Sequence, residues 1–440
     1  MAIYGIDLGT TNSLIGLGDE FLSDLVPSVV DIERKMAGRS LMSSTKAVRS
    51  FKIDISMSIE GTQSVVASRY VLEELKRQAG GSNVKQVVIS VPAYFSDNQR
   101  QATIKAANLA GLEVVSLINE PTAAAMYISR NHSALSLVFD LGGGTFDVSV
   151  IDSRFGNYDV QATDGKIVGG DNLDMAIMRY LIKEGGLAIH RLGKENLSKL
   201  QMLARATKEK ISTTHAGTTV DLSDFDGKSV EVTEDTYVSL MKMTFADTIT
   251  KTKKVIGESI PFGENYDILL VGGSTKCPYL REWVTKELGQ APVPLTYDPD
   301  RVVAQGAALY ASLLESGEAE YMVSDVTNQL SIGLADGTVR TIIDKNSKIP
   351  VEETTFAVNN VASDKLRVKF YQGESLLAEN NECIGELVYD YGEVKDALCG
   401  EVIIGISVEQ SGVITFSCKE LMKKPVVVTL DRGISKIGGK

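Results

Sequence analysis

Two aspartates, Asp140 and Asp147, flank three consecutive glycines in the segment LVFDLGGGTFDVSV, residues 137–150. A similar phrase, IYGIDLGTTNSLIG at residues 3–16, carries Asp7 ahead of Gly9, Thr10, Thr11 and Asn12. Glycines let backbone N–H groups approach an anion closely, and neighbouring hydroxyls add donors. An aspartate beside such a turn repels a phosphate, so its natural partner is a divalent cation or a water. Magnesium prefers carboxylates and water, and in nucleotide sites it often bridges phosphates. Two such turns facing each other would grip one polyphosphate from both sides. Neither phrase runs into the Gly-Lys-Ser/Thr that opens a helix, which excludes a Walker-type loop there. The plainer alternative, a tight turn with a solvated aspartate, is weakened by finding the phrase twice.

Strand formers lead into each turn and an extended pattern resumes after it, so each phrase is expected to be a β-hairpin. A third glycine turn, Gly272-Gly273-Ser274-Thr275, follows an apolar run at 268–271. An amphipathic helix follows Pro278, with Leu280, Trp283, Val284 and Leu288 inward, and the turn before it would floor an adenosine. Helices are also expected over 68–79, 175–182 and 233–256. From 326 to 432 apolar and polar residues alternate between turn signals at sandwich-like spacing, an all-β pattern.

A chain of 440 residues exceeds one ordinary core, and roughly two to four domains are expected. A net charge of −12 argues against nucleic acid and anionic membranes as partners, since both reward clustered positive charge. The N-terminus enters a strand at once, without the pattern of a signal peptide, and no run approaches the roughly 18–20 apolar residues of a membrane span. A soluble, cytoplasmic protein is the expectation. Cys277, Cys383, Cys399 and Cys418 form no C-x-x-C pair, and His132, His190 and His215 are scattered. Reduced thiols are expected, and no zinc site.

The phrases GIDLGTTNS, VVISVPAYFSDNQRQATIKAANLAGLEVVSLINEPTAAAMYI, LVFDLGGGTFDVSVI, GGDNLD, LLVGGSTKCPYLREWV and YDPDRVVAQGAALYASLL resemble, in order, the nucleotide-binding domain of DnaK-type heat-shock 70 kDa chaperones. SDVTNQLSIGL and KNSKIPVEETTF continue the likeness into that family's β-sandwich, and SVPAYFSD looks closer to an HscC-like bacterial branch. The resemblance implies an α/β actin-like ATPase of two lobes, with a duplicated ribonuclease-H-like core, over residues 1–317. A linker would follow at 318–326 and a β-sandwich substrate-binding domain at 327–440. It implies ATP or ADP with Mg²⁺ as ligands. Asp7 and Asp140 would hold the magnesium through its waters, and Asp147 would help arrange the attacking water. Gly9, Thr10, Thr11, Asn12, Gly142, Gly143 and Gly144 would contact phosphates, with Thr145 beside the γ-phosphate. Lys52 would orient the nucleophile, its alternative being a surface lysine, and Glu120 would hold the water network. Lys208, Ser212, Gly272, Gly273, Ser274, Lys276 and Asp300 would contact the nucleoside. Pro92, Tyr94 and Arg100 would relay the nucleotide state outward. Leu334, Phe356, Leu366, Val368 and Val413 would line a slot for an extended hydrophobic peptide, or else form sandwich core. Unfolded polypeptide and a J-domain co-chaperone are the implied partners.

Departures from the family pattern carry their own expectations. Lys276 stands where an arginine stacks on adenine, and an ammonium does not stack flatly. Arg205 stands where a ribose-binding glutamate is usual. Both predict weaker or altered nucleoside binding. The outer subdomains look trimmed, which disfavours the usual exchange factors. Ser324 replaces a leucine in the linker, after Met322 and Val323, and predicts weakened interdomain coupling. Asn359 near the slot and an end at Lys440 without a helical lid predict an open arch and fast peptide exchange. Two functions follow: a slow ATP-dependent chaperone, or a nucleotide-switched binding module with little hydrolysis. A small-molecule kinase on the same superfold is disfavoured, because the β-sandwich would have no role in it.

Overall fold

The computed structural model describes residues 2–55, 62–129, 134–154, 157–318, 323–358, 365–390, 402–409, 411–420, 427–431 and 436–438. Met322, Asn359, His132 and Cys399 lie outside these residues.

The doubled phrase builds the same sheet topology twice. In the first lobe β1 (Ile3–Leu8) and β2 (Asn12–Leu17) form the hairpin, with Asp7 opposite Leu14. β1 then pairs in parallel with β3 (Gln86–Val91), which pairs in parallel with β4 (Glu113–Asn119). In the second lobe β5 (Leu135–Leu141) and β6 (Phe146–Asp152) form the hairpin, and here Asp140 stands directly opposite Asp147. β6 pairs with β7 (Tyr158–Lys166), and β5 pairs in parallel with β8 (Asp267–Val271). A right-handed parallel connection needs a covering helix, and the chain supplies one each time.

The helices are α1 (Thr62–Gln78), α2 (Asp97–Leu109), α3 (Glu120–Ile128), α4 (Gly170–Gly185), α5 (Lys194–Thr214), α6 (Glu234–Ser259), α7 (Pro278–Leu288) and α8 (Val302–Ser316). The helices expected at 68–79 and 175–182 begin earlier, at Thr62 and Gly170, and the second also runs on to Gly185. The long helix was placed within three residues at either end, and Thr233 caps it by accepting from the Thr236 N–H at 3.2 Å. Each lobe has its own apolar core. A third core lies between the sheets, where α3 and α8 pack against Ile3 and Val88 of one sheet and Val138 and Leu269 of the other.

Beyond α8, β9 (Val323–Val326) pairs in parallel with β7, Tyr158 opposite Val323 and Asp159 opposite Ser324. Its far end pairs with Lys348 and Ile349. Strand pairing uses backbone groups, so Ser324 enters the second lobe's sheet without needing an apolar side chain. The segment carrying the polar residue thus runs along the second lobe. The remaining strands form a six-stranded and a three-stranded sheet packed face to face over a core that includes Leu330, Phe370, Leu387, Ile404 and Ile414.

The sandwich docks on the first lobe at the start of α2. The Asp97 N–H donates to Gln372 at 2.8 Å, and Asp97 Oδ1 accepts from the Ile414 N–H at 2.8 Å. Arg100 donates to the carbonyl of Ser411 at 3.0 Å, and Asn328 donates to the carbonyls of Tyr94 and Phe95 at 3.2 and 3.3 Å. Among the described residues no helix is long and apolar enough to cross a membrane.

Candidate functional site

The two hairpin turns meet. Asp7, Gly9, Thr10, Thr11 and Asn12 from the first and Asp140, Gly142, Gly143 and Thr145 from the second line one cavity of about 530 Å³. Gly143 shows how close the loops come: a β-carbon there would stand 1.9 Å from Thr11 Oγ1. A larger residue there would have to displace the Thr11 side chain from the cavity wall.

Lys52 lies at the cavity wall, 2% exposed, which disposes of the surface-lysine alternative. It is ion-paired to Glu120, the first residue of α3, and sits 5.7 Å above the Phe95 ring. Asp7 accepts from the Ser90 hydroxyl at 2.9 Å, across the β1–β3 ladder. Its carboxyl is pushed up to about 7, first by burial and then by Glu120, with Lys52 and Ser90 opposing. Burial likewise holds Asp140 and Asp147 well above the usual carboxylate range, with Glu120 the next contributor for each. Such a cluster of buried carboxyls is poised to gain from a nearby cation.

Asp147 and Gly144 do not line the cavity. Asp147 is 1% exposed and accepts from the Ala93 N–H at 2.9 Å, which ties the second hairpin to the end of β3 in the first lobe. Gly144 instead closes against Ile53 and Thr10. The relay residues converge here. Pro92 opens the turn whose carbonyl accepts from the Phe95 N–H at 3.1 Å. Arg100 donates to Asn119 at 2.7 Å as well as to the sandwich. The buried Tyr94 hydroxyl has no hydrogen-bond partner among the described residues, and burial followed by the charges of Asp147 and Glu120 raises its pKa.

Lys208, Ser212, Gly272, Gly273, Ser274, Lys276 and Asp300 line the same cavity. Lys208 pairs with Asp174 at 2.7 Å, and Ser274 donates to the Gly142 carbonyl at 2.8 Å, joining the third glycine turn to the second. Lys276 pairs with Asp298 at 2.7 Å and Asp300 at 2.5 Å, so its ammonium is engaged by carboxylates. Arg205 also lines the cavity and pairs with Glu209 at 3.0 Å. Sequence reasoning missed Asp171, Glu209, His215, Tyr237, Met241, Phe245 and Cys277, all of which also line it. The spacing of Tyr237, Met241 and Phe245, one turn apart on α6, carried a signal for a shared face but not for what that face would meet.

The five residues assigned to a peptide slot differ in exposure. Leu366 and Val368 are buried in the sandwich core and Phe356 packs against it. Val413 is buried beside the Ile414 contact to α2, and Leu334 is 43% exposed. The core alternative describes Leu366 and Val368 better than an open slot does.

Among the described residues no three His, Cys, Asp or Glu side chains stand close enough to ligate one ion directly. Carboxylates at Asp7 and Asp140 beside two N–H-rich turns have the donor chemistry for a magnesium–polyphosphate.

A family profile described as Hsp70 protein matches residues 29–431. A chaperone protein HscA homolog of Cupriavidus metallidurans is 32% identical over 479 aligned residues, spanning 94% of this chain and 76% of the relative. Another, from Burkholderia mallei, is 34% identical over 437 residues, spanning 86% of this chain and 69% of the relative.

Proposed function

The chain belongs to the Hsp70 protein family, whose members are ATPases, and on that premise we propose that it is a slow, ATP-driven chaperone whose sandwich engages extended polypeptide. The observation that supports this most is the convergence of both glycine turns, Lys52 and Glu120 on one cavity. The N–H groups and hydroxyls of residues 9–12 and 142–145 would hold the phosphates. Magnesium, when bound, would neutralise phosphate charge and order water around Asp7 and Asp140. The Lys52 ammonium, held by Glu120, would face the charge that spreads over the γ-phosphoryl oxygens during in-line attack. Asp147, behind the cavity wall, would help arrange the attacking water through the water network. Lys208, Ser212, Ser274 and Lys276 would hold the nucleoside.

Pro92, Tyr94 and Arg100 then form the path from the nucleotide to the sandwich, with residues 1–317 as the ATPase and 327–440 as the client-binding part. A cytoplasmic location and a J-domain co-chaperone go with this reading.

Calorimetric titration of ATP and ADP with magnesium, followed by single-turnover hydrolysis, tests it. Asp7→Asn and Asp147→Asn should each lower hydrolysis on the order of 10²-fold or more while changing affinity far less. Unchanged turnover would remove these aspartates from the mechanism. The Arg205–Glu209 pair and the carboxylate-bound Lys276 favour a second reading, a binding module switched by nucleotide with little hydrolysis. Nucleotide binding without turnover in the same experiment would select it.

A further inference from the structure

Ser50 has a backbone conformation that non-glycine residues seldom adopt, left-handed with φ 54° and ψ 21°. It opens the short helical turn Phe51–Asp54, yet its hydroxyl makes no capping bond to that turn. The hydroxyl instead leaves the first lobe and donates to Asp171 Oδ2 at the N-terminus of α4, in the second lobe. Strain of this kind persists where surrounding structure fixes it, and here the fixing group is visible. Arg49, one residue earlier, donates to the carbonyls of Leu41, Met42, Ser44 and Ala47, at 2.7 to 3.3 Å. That arginine holds the loop in the shape that aims Ser50 across the cleft.

Both ends of the bond lead to the phosphate region. Two residues beyond Ser50 lies Lys52, paired to Glu120. The Asp171 N–H donates to the Gly143 carbonyl at 2.7 Å, and Asp171 lines the cavity beside Gly143 and Thr11. A bond between these positions joins the lobes over the cavity. It carries an ionised acceptor, which makes it stronger than a neutral hydrogen bond.

We propose that Ser50 and Asp171 form a latch across the cleft that sets how fast nucleotide leaves, with little influence on hydrolysis of nucleotide already bound. This rests on the reading of the cavity as a nucleotide site. Opening the lobes must break the bond, whereas the chemical step occurs with it made. Ser50 is thus a positioning residue and contacts no reacting atom.

The test is stopped-flow release of N-methylanthraniloyl-ADP from the full chain with magnesium. Ser50→Ala should speed release about tenfold, the order expected for one charge-assisted hydrogen bond, and change single-turnover hydrolysis less than about twofold. Ser50→Asn keeps a donor and tolerates the left-handed backbone, so release should return to within about threefold of the unaltered chain. In a double-mutant cycle, Ser50→Ala with Asp171→Ala should release no faster than the faster single variant. Unchanged release in Ser50→Ala, absence of rescue by Ser50→Asn, or effects that multiply in the double variant would each overturn the latch. An unaltered chain that fails to bind the labelled ADP would instead overturn the nucleotide site, and the latch with it.

Discussion

The Lys52–Glu120 pair is buried among three further carboxyl groups, those of Asp7, Asp140 and Asp147. Removing its one cation leaves a crowded acidic cluster, and Lys52→Met should lower hydrolysis on the order of 10²-fold by taking the positive charge from the γ-phosphoryl position. Full turnover in single-turnover assays would exclude that role. The cluster also fixes a pH dependence. An acid whose folded pKa is raised stabilises the fold below its unfolded value, and that contribution is lost as pH rises through the folded value. For Asp7 the window runs from 3.8 to about 7. The ligand-free chain should therefore melt at a lower temperature at pH 8 than at pH 5, and Asp7→Asn should reduce that difference; an identical slope in both proteins by calorimetry would show that Asp7 does not titrate in this window. Most aspartates, glycines and threonines of the turns were legible in sequence because the residues that shape each turn, Asp147 and Gly144 apart, also line the cavity. Ser50, Asp171, Glu209 and Tyr237 were not, since their roles come from parts of the chain that meet only after folding.

At the level of elements, α8 is the piece that holds the lobes together, and its packing depends on absent side chains. A β-carbon on Gly306 would stand 1.7 Å from the Ala123 carbonyl oxygen on α3, and one on Gly5 would stand 2.1 Å from the Ala308 nitrogen on α8. These are backbone atoms within the core between the sheets, so relief requires moving a helix rather than turning a side chain. Gly306→Ala should therefore destabilise by about 3 kcal/mol, at the upper end for overpacking, visible as an earlier urea transition of the ATPase region. An unshifted midpoint would mean that α3 and α8 slide apart at no cost. The phrase AQGAALYASLL was read only as part of the family likeness, and its packing between the sheets, which begins at Val302, was not foreseen. Small residues report a close approach without naming the partner surface. The hairpins were easier, because both strands and their turn lie in one short stretch.

For the whole molecule, two kinds of contact join the sandwich to the ATPase lobes, and their physical character decides which dominates. One is an ionic strip in which Lys345 reaches Asp164 at 3.9 Å and Lys254 reaches Glu374 at 3.8 Å across the boundary, braced by Lys345–Glu374 at 2.7 Å within the sandwich and Lys251–Asp164 at 2.7 Å within the lobe. Partly exposed pairs of this type contribute roughly 0–1 kcal/mol each and are screened by salt. The other is the buried set at α2, where Arg100 is 6% exposed and Asp97 fully enclosed, each bonded to sandwich backbone. Breaking a buried charged bond strands its partners without water, which costs more than losing a surface pair. Arg100→Ala should therefore release the sandwich, seen as a larger radius of gyration by small-angle scattering and faster proteolysis between the ATPase lobes and the sandwich. Lys345→Ala, or 0.5 M salt on the unaltered chain, should change either readout much less, since about 4 Å of screening length reaches only the exposed strip. If salt alone frees the sandwich while Arg100→Ala leaves it docked, the interface is held by surface charge, and Arg100 would no longer be a credible link between the nucleotide cavity and the sandwich.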